Sequence, residues 1–184
     1  MQESRQGQFD ALVSPHLETL FRMAYRLVRN TADAQDLVQD TCVAACASLP
    51  SLAAAESQLS WLLRVQHNRF IDTHRRQGRS PVVAMEAPED LDTLCSDLPD
   101  PEALMQQFQR EELLDRAFLR LEEMQRTLLA LRAEGYELPE IEAITGIDRA
   151  VLSARLHRAR LRLAQLINDM NREAESIRQI GSRS

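Results

Sequence analysis

Apolar side chains recur every three to four residues along most of this chain, which is the spacing of one face of an α-helix. The pattern predicts a core-facing helix over residues 8–29, interrupted near its start by Pro15, and a second helix that Thr31 can cap. Pro50 should end that second helix, and residues 51–60 form a connection of small side chains. No stretch alternates like a strand, so the predicted fold class is all-α.

Residues 61–79 predict a helix with two unlike faces. The apolar face carries Leu62, Leu63, Gln66 and Phe70. The other carries Trp61, Arg64, Asn68, Asp72, Arg75, Arg76 and Arg79. An aromatic ring, an amide and several guanidinium groups in one row can stack on unpaired bases, bond base edges and hold phosphates. A purely structural interpretation is the alternative. In it Trp61 packs in the protein core, as a lone tryptophan usually does, and the arginines are exposed on an ordinary surface helix.

The second half of the chain carries a helix-turn-helix pattern. Residues 124–132 and 138–145 predict helices, Gly146 and Ile147 a turn, and Asp148 a cap for a long helix from Arg149 to about Met170. A short helix, a glycine turn and a longer helix are typical of DNA-binding motifs whose second helix enters the major groove. Arginines 155, 158 and 162 share one face of that helix. An antiparallel helical hairpin, with these arginines paired to acids, is the alternative.

Charge separates the chain into three segments. Residues 1–80 carry nine Arg against eight acids, residues 81–112 one Arg against nine acids, and residues 113–184 twelve Arg against eleven acids. The net charge of −6 therefore resides in the middle, where four prolines occupy positions 81, 88, 99 and 101. We predict two helical domains, residues 1–80 and 103–184, joined by an acidic linker over residues 81–102.

The cysteines, the histidines and the distribution of apolar residues favour a soluble cytoplasmic protein without a cofactor. The three cysteines have no disulfide-scaffold spacing, and no apolar run approaches the length of a membrane span, so no membrane insertion is expected. Cys42 and Cys46 stand one helical turn apart, but two small buried apolar side chains are favoured over a metal site. An enzyme is not expected, because the four histidines are scattered and no glycine loop could cradle a phosphate.

Three strings, DAQDLVQDT, WLLRVQHNRFIDTHRR and YELPEIEAITGIDRAVLSARLHRARLRL, resemble in this order the bacterial RNA polymerase sigma factors of the extracytoplasmic-function group. The resemblance covers nearly the whole chain. It implies a sigma region 2 helical bundle, a sigma region 4 helix-turn-helix and a linker that threads the polymerase interior. It also implies core RNA polymerase and promoter DNA as partners, with an anti-sigma protein as regulator.

The resemblance assigns roles to residues in each half. Core polymerase would dock on Asp36, Gln39 and Asp40. The −10 element would meet Trp61, Arg64, Asn68, Arg69, Asp72, Arg75 and Arg76, with a flipped base held by the 51–60 connection. The −35 duplex would meet Ser153, Arg155, His157, Arg158 and Arg162.

Glu142, Thr145 and Ser153 depart from the family pattern, which has alanine, leucine and a basic residue at these positions. Glu142 must bend outward or find a partner, since an unpaired buried charge is costly. These departures support a second hypothesis, a sigma-like decoy that binds an anti-sigma protein without initiating transcription. A one-component repressor would leave the first domain unexplained.

The separation of charge along the chain also predicts that the acidic linker folds back when polymerase is absent. It would then lie on the arginine-bearing faces of the helix at residues 61–79 and of the helix that begins at Arg149. Replacing its six acids between Glu86 and Asp100 should then strengthen DNA binding by the free chain.

Overall fold

A computed structural model describes residues 2–77 and 101–181, with the side chains of residues 6–76, 107 and 109–176. Nine α-helices make up most of these ranges: α1 Gln2–Val13, α2 Leu17–Val28, α3 Thr31–Ala47, α4 Leu49–Ala53, α5 Gln58–Gln77, α6 Pro101–Leu119, α7 Glu123–Ala133, α8 Leu138–Thr145 and α9 Arg149–Gly181. The described ranges contain no strand, and the all-α prediction is confirmed. None of the helices in them is both long and apolar enough to cross a membrane.

In the first half one predicted boundary is confirmed and two are wrong. A 3-10 turn at Ser14–His16 interrupts the first helical stretch at Pro15, as predicted, and separates α1 from α2. Asn30, and not Thr31, caps α3, because the Asn30 Oδ1 atom accepts a 2.9 Å hydrogen bond from the backbone N–H of Asp33. The helix ends at Ala47 before Pro50 is reached, and Pro50 lies in the first turn of α4, where its missing N–H is harmless.

The N-terminal half is built by α2, α3 and α5, which pack against one another. Its buried side chains follow the predicted apolar stripes and include Leu20, Leu27, Leu37, Leu62, Leu63 and Phe70. Gln66 is buried among them because its Nε2 atom donates a 2.9 Å hydrogen bond to the Leu20 carbonyl oxygen. This packing fixes the orientation of α5, so the other side of that helix faces solvent.

The C-terminal half places α6, α7 and α8 against the long helix α9. Gly146 ends α8 in the left-handed conformation, at a φ of 70°, and this conformation produces the turn between α8 and α9. Leu152, Leu156, Ala159, Leu166 and Met170 form the buried stripe of α9. The helix continues to Gly181, well past the predicted end near Met170.

The two halves contact each other directly. Helix α5 packs on α8 and α7, and α2 packs on α7. Residues 78–100, which contain Arg79 and the six linker acids from Glu86 to Asp100, lie outside the described residues.

Candidate nucleic-acid interface

A shallow groove of about 340 Å³ lies between the C-terminal end of α3 and the exposed side of α5. Its walls are Ala44, Ser48, Trp61, Val65, Asn68, Arg69 and Asp72. The groove therefore combines an indole ring with an amide, a guanidinium group and a carboxylate. These groups can stack on a base, bond its edge and pair with a phosphate.

Trp61 belongs both to the groove and to the core. It is half-buried and packs against the buried apolar cluster, while part of the ring lines the groove. The two interpretations of Trp61 from sequence are therefore not exclusive. Core packing holds the ring in place, which lowers the entropic cost of stacking a base on it.

The remaining predicted −10 residues are exposed but do not all meet in the groove. Asn68, Arg69 and Asp72 line it, whereas Arg75 and Arg76 lie in the last turn of α5. Arg64 lies against the turn of the helix-turn-helix, with its Nη2 atom 3.8 Å from the position that a Cβ on Gly146 would occupy. The predicted −10 residues of α5 therefore lie in three places: in the groove, at the end of the helix and at the contact between the halves.

The predicted base-holding segment, residues 51–60, is not one open connection. Leu49–Ala53 is helix α4, and Ser57 begins α5 by accepting a 3.2 Å hydrogen bond at its Oγ atom from the backbone N–H of Ser60. The walls of the groove come instead from α3, its C-cap residue Ser48, and α5. Ala44, Ser48 and Val65 were missed from sequence, since no local pattern reveals where two helices approach each other.

Helix α3 presents an acidic face away from the core. Asp36, Gln39 and Asp40 are all exposed, and Val43, one turn further along, is 63% exposed. An exposed apolar side chain beside acids is compatible with a protein-docking surface. Cys42 is half-buried, and burial raises the pKa of its thiol, whereas Cys46 is exposed and not the buried apolar residue that we predicted. Among the described residues no cluster of side chains could hold a metal ion.

The helix-turn-helix accommodates two of its three unusual residues through hydrogen bonds. Glu142 finds a partner, because its Oε1 atom accepts a 3.1 Å hydrogen bond from the backbone N–H of Arg149. Thr145 donates through Oγ1 to the Ile141 carbonyl oxygen at 2.7 Å and accepts from the Ile147 N–H at 3.3 Å. Asp148 caps α9 as predicted, with its Oδ1 atom 2.7 Å from the Ala150 nitrogen. The hydrogen bonds of Glu142 and Thr145 thus stabilise the turn.

The outer surface of α9 is free for contact with a ligand. All five predicted −35 residues are exposed: Ser153, Arg155, His157, Arg158 and Arg162. Val151, near the start of the helix, is 44% exposed. Arginines near the N-terminal end of a second helix are placed as in motifs that bind the major groove.

A shallow groove beside Trp61 on one helical domain, and exposed arginines on the second helix of a helix-turn-helix on the other, are features that nucleic-acid-binding proteins share. The family comparisons specify the class. Residues 12–80 match the model of the Sigma-70 region 2 family.

Comparisons with individual proteins agree with this match. The RNA polymerase sigma factor YlaC of Bacillus subtilis is 30% identical over 168 residues, which cover 90% of this chain and 95% of that protein. The ECF RNA polymerase sigma factor SigE of Mycolicibacterium smegmatis is 33% identical over 84% of this chain, which spans 60% of the length of that relative. In a solved complex from Bartonella quintana, the sigma factor RpoE bound to the anti-sigma factor NepR superposes with a TM-score of 0.62, at 26% identity, covering 87% and 96% of the two chains. The protein belongs to the extracytoplasmic-function sigma factors of RNA polymerase.

Proposed function

We propose that this chain binds core RNA polymerase through Asp36, Gln39 and Asp40 and directs it to promoters by contacting two DNA elements. The groove lined by Trp61, Asn68, Arg69 and Asp72 is the observation that carries the proposal. An ordinary solvated helix face offers no concave surface beside an aromatic ring. A base extruded from the −10 element would stack on Trp61, while the Asn68 amide and the Asp72 carboxylate bond its edge.

The second contact is the −35 element, bound as duplex by α9. Arg155, Arg158 and Arg162 are exposed along the helix, and Ser153 and His157 lie on its other flank. Guanidinium groups can donate two hydrogen bonds to guanine or hold a phosphate. The two domains would therefore divide promoter recognition between a melted strand and a duplex.

An anti-sigma protein is the proposed regulator, and the cytoplasm is the proposed location. The structural similarity to a sigma factor captured with an anti-sigma factor supports the first point. The decoy hypothesis depended on Glu142, Thr145 and Ser153. Hydrogen bonds now account for Glu142 and Thr145, and Ser153 is simply exposed, so the recognition motif gives no reason to prefer a decoy.

Run-off transcription with purified core polymerase on genomic fragments tests this function. We expect discrete transcripts that require the protein, and we expect Arg75→Ala together with Arg76→Ala to abolish them. Arg172→Ala, an exposed arginine beyond the buried stripe of α9, is the matched control and should leave them unchanged. Transcripts that persist in the double variant would exclude Arg75 and Arg76 from the proposed −10 contact. Binding to an anti-sigma protein without any transcript or binding to core would instead establish a decoy.

A further inference from the structure

Val151 lies on the same face of α9 as the row of exposed arginines. It is the third residue of the helix, and Val151, Arg155, Arg158 and Arg162 follow one another at intervals of four, three and four residues. The Val151 side chain is 44% exposed, whereas its neighbour Leu152 is fully buried. Val151 is therefore an apolar side chain on the surface that we propose for the −35 duplex, and it is not part of the buried stripe.

The first turn of α9, which carries Val151, is held in place through its backbone. The N–H of Arg149 donates to Glu142 Oε1 at 3.1 Å. Those of Ala150 and Val151 donate to the Oδ1 atom and the carbonyl oxygen of Asp148, at 2.7 Å and 3.0 Å. These N–H groups, which bind phosphate at the start of many helices, therefore already have partners within the protein.

The Val151 side chain is itself stiff. A valine in a helix has one strongly preferred rotamer, because two methyl groups branch from its Cβ atom. Little conformational entropy is then lost when these methyl groups meet a ligand. The first turn thus presents a fixed apolar surface, and its contribution to recognition comes from the side chain.

The charge around Val151 favours duplex DNA as the ligand. Five arginines and no acid occur from Arg149 to Asn168. None of the ion pairs among the described residues involves any of these five. Guanidinium groups without acidic partners are available for phosphates, and phosphate contacts would hold the exposed face of α9 in the groove. Side chains near the N-terminal end of such a helix are the ones that reach base edges.

An apolar side chain distinguishes one base in the major groove. Thymine presents a 5-methyl group there, whereas adenine, guanine and cytosine present hydrogen-bond donors and acceptors. Valine can pack against the methyl group, but it cannot bond to a polar edge. A polar edge facing Val151 would lose water without gaining a new partner, and that loss is unfavourable.

We propose that Val151 is a specificity-determining residue, which selects a thymine in the −35 element through the 5-methyl group of that base. The inference rests on the proposed function and adds a base that arginine contacts do not select. Val151 and Arg155 are about 6 Å apart along the helix axis, and successive base pairs are about 3.4 Å apart. The thymine therefore lies about one or two base pairs from the contact of Arg155.

Deoxyuridine in place of thymine tests this contact, because it removes the methyl group and leaves the base pairing unchanged. The complex of core polymerase with the full chain is bound to duplexes that carry the −35 sequence of promoters found by run-off transcription. Each thymine of the −35 element is replaced in turn. We expect replacement of the selected thymine to weaken binding by about threefold to fivefold, the loss expected for one buried methyl group.

Three variants show whether Val151 receives the methyl group. Val151→Ser removes the apolar surface and should bind the thymine and deoxyuridine duplexes equally well. Val151→Ile keeps an apolar surface and should keep the difference. Leu161→Ser is the matched control, since Leu161 is 51% exposed on the same helix about 15 Å further along, and it should keep the difference as well. Both positions are exposed, and urea denaturation checks that the variants remain folded.

The outcomes separate this inference from the proposed function. The assignment of Val151 alone would be overturned by a −35 element without a sensitive thymine, by a Val151→Ser variant that keeps the full difference, or by a Leu161→Ser variant that abolishes it. If the native chain directs no transcripts with core polymerase, the proposed function itself fails, and this inference fails with it.

Discussion

The Oε1 atom of Glu142 accepts a hydrogen bond from the backbone N–H of Arg149, so the first helix of the helix-turn-helix caps the second across the turn. The first N–H groups of any helix lack partners within that helix. Here Glu142 satisfies one at the start of α9 and Asp148 satisfies another, at Ala150. Both carboxylates also lie at the positive end of the helix dipole, which stabilises them further.

Glu142→Ala should therefore destabilise the C-terminal half. Loss of a side-chain cap costs about 0.5–2 kcal/mol, and we expect the free energy of unfolding in urea to fall by about that amount. Glu142→Gln keeps an acceptor oxygen and should lose less. Glu173→Ala, at an exposed position late in α9, is the control for removing a carboxylate. A loss no larger than that of the control would mean that the cap is not formed in solution.

His67 should make the fold sensitive to acid. Burial lowers the pKa of this imidazole from 6.5 to about 4, since the charged ring would lose its hydration. Thr127 already donates its hydroxyl hydrogen to the Glu123 carbonyl oxygen, so the Nδ1 atom of neutral His67 carries the proton and donates to Thr127. Because the folded pKa is the lower one, the unfolded chain binds more protons between pH 6.5 and about 4, and stability falls as the pH falls through this window.

Urea denaturation at pH 7 and pH 5 measures the effect. The contribution of His67 amounts to about 2 kcal/mol of stability lost between these two values. His67→Gln cannot take up this proton. Between pH 7 and pH 5 its free energy of unfolding should therefore fall by about 2 kcal/mol less than that of the native protein. Identical pH dependence in the two proteins would show that His67 is not buried in solution. His74, whose pKa burial also lowers, remains in both proteins and does not affect the comparison.

Trp61→Ala should weaken binding of the polymerase complex to single-stranded −10 DNA by about fivefold to 150-fold, since stacking of one base contributes about 1–3 kcal/mol. Trp61→Phe retains an aromatic face and should keep most of the affinity. Fluorescence anisotropy with a labelled oligonucleotide gives both values. Because Trp61 also packs on the core, unfolding in urea should be measured in parallel. Equal losses in both variants would argue against stacking.

Arg158→Ala tests the −35 contact through its salt dependence. If Arg158 holds a phosphate, affinity for −35 duplex should fall about equally for all sequences, and the slope of log affinity against log salt should become shallower by about 0.9. If it bonds a guanine, discrimination at one base pair should fall by about 1–3 kcal/mol instead. Arg172→Ala should change neither quantity. An unaltered affinity in Arg158→Ala would exclude this arginine from the DNA contact.

Local patterns in the sequence were sufficient for much of the fold. Helix α8 begins and ends at the predicted residues, Gly146 makes the turn, and Asp148 caps α9, because each of these features depends on neighbours within a few residues. Burial of Leu62, Leu63, Gln66 and Phe70 also follows from helical spacing alone. The α9 boundary was missed because residues 171–176 are exposed, and an apolar stripe cannot mark a helix that no longer covers a core.

Contacts between distant residues were beyond such patterns. Glu134 looks like an ordinary surface acid in the sequence, and its pairing with Arg22 and Arg26 spans more than 100 positions. The same is true of the groove, whose walls combine Ala44 and Ser48 with residues of α5. Composition predicts which surfaces could bind nucleic acid, but only the packing of helices determines which of those residues meet.

Because α9 has 33 residues, a small tilt at its start displaces its far end by a large distance. At 1.5 Å per residue it is about 50 Å long, and about 16 Å of it extends beyond Met170, its last buried residue. A tilt of only 10° about its first turn would move the far end by about 9 Å. A spectroscopic label at an exposed site such as Glu175 would therefore magnify small rearrangements of the C-terminal half into displacements that are easily measured.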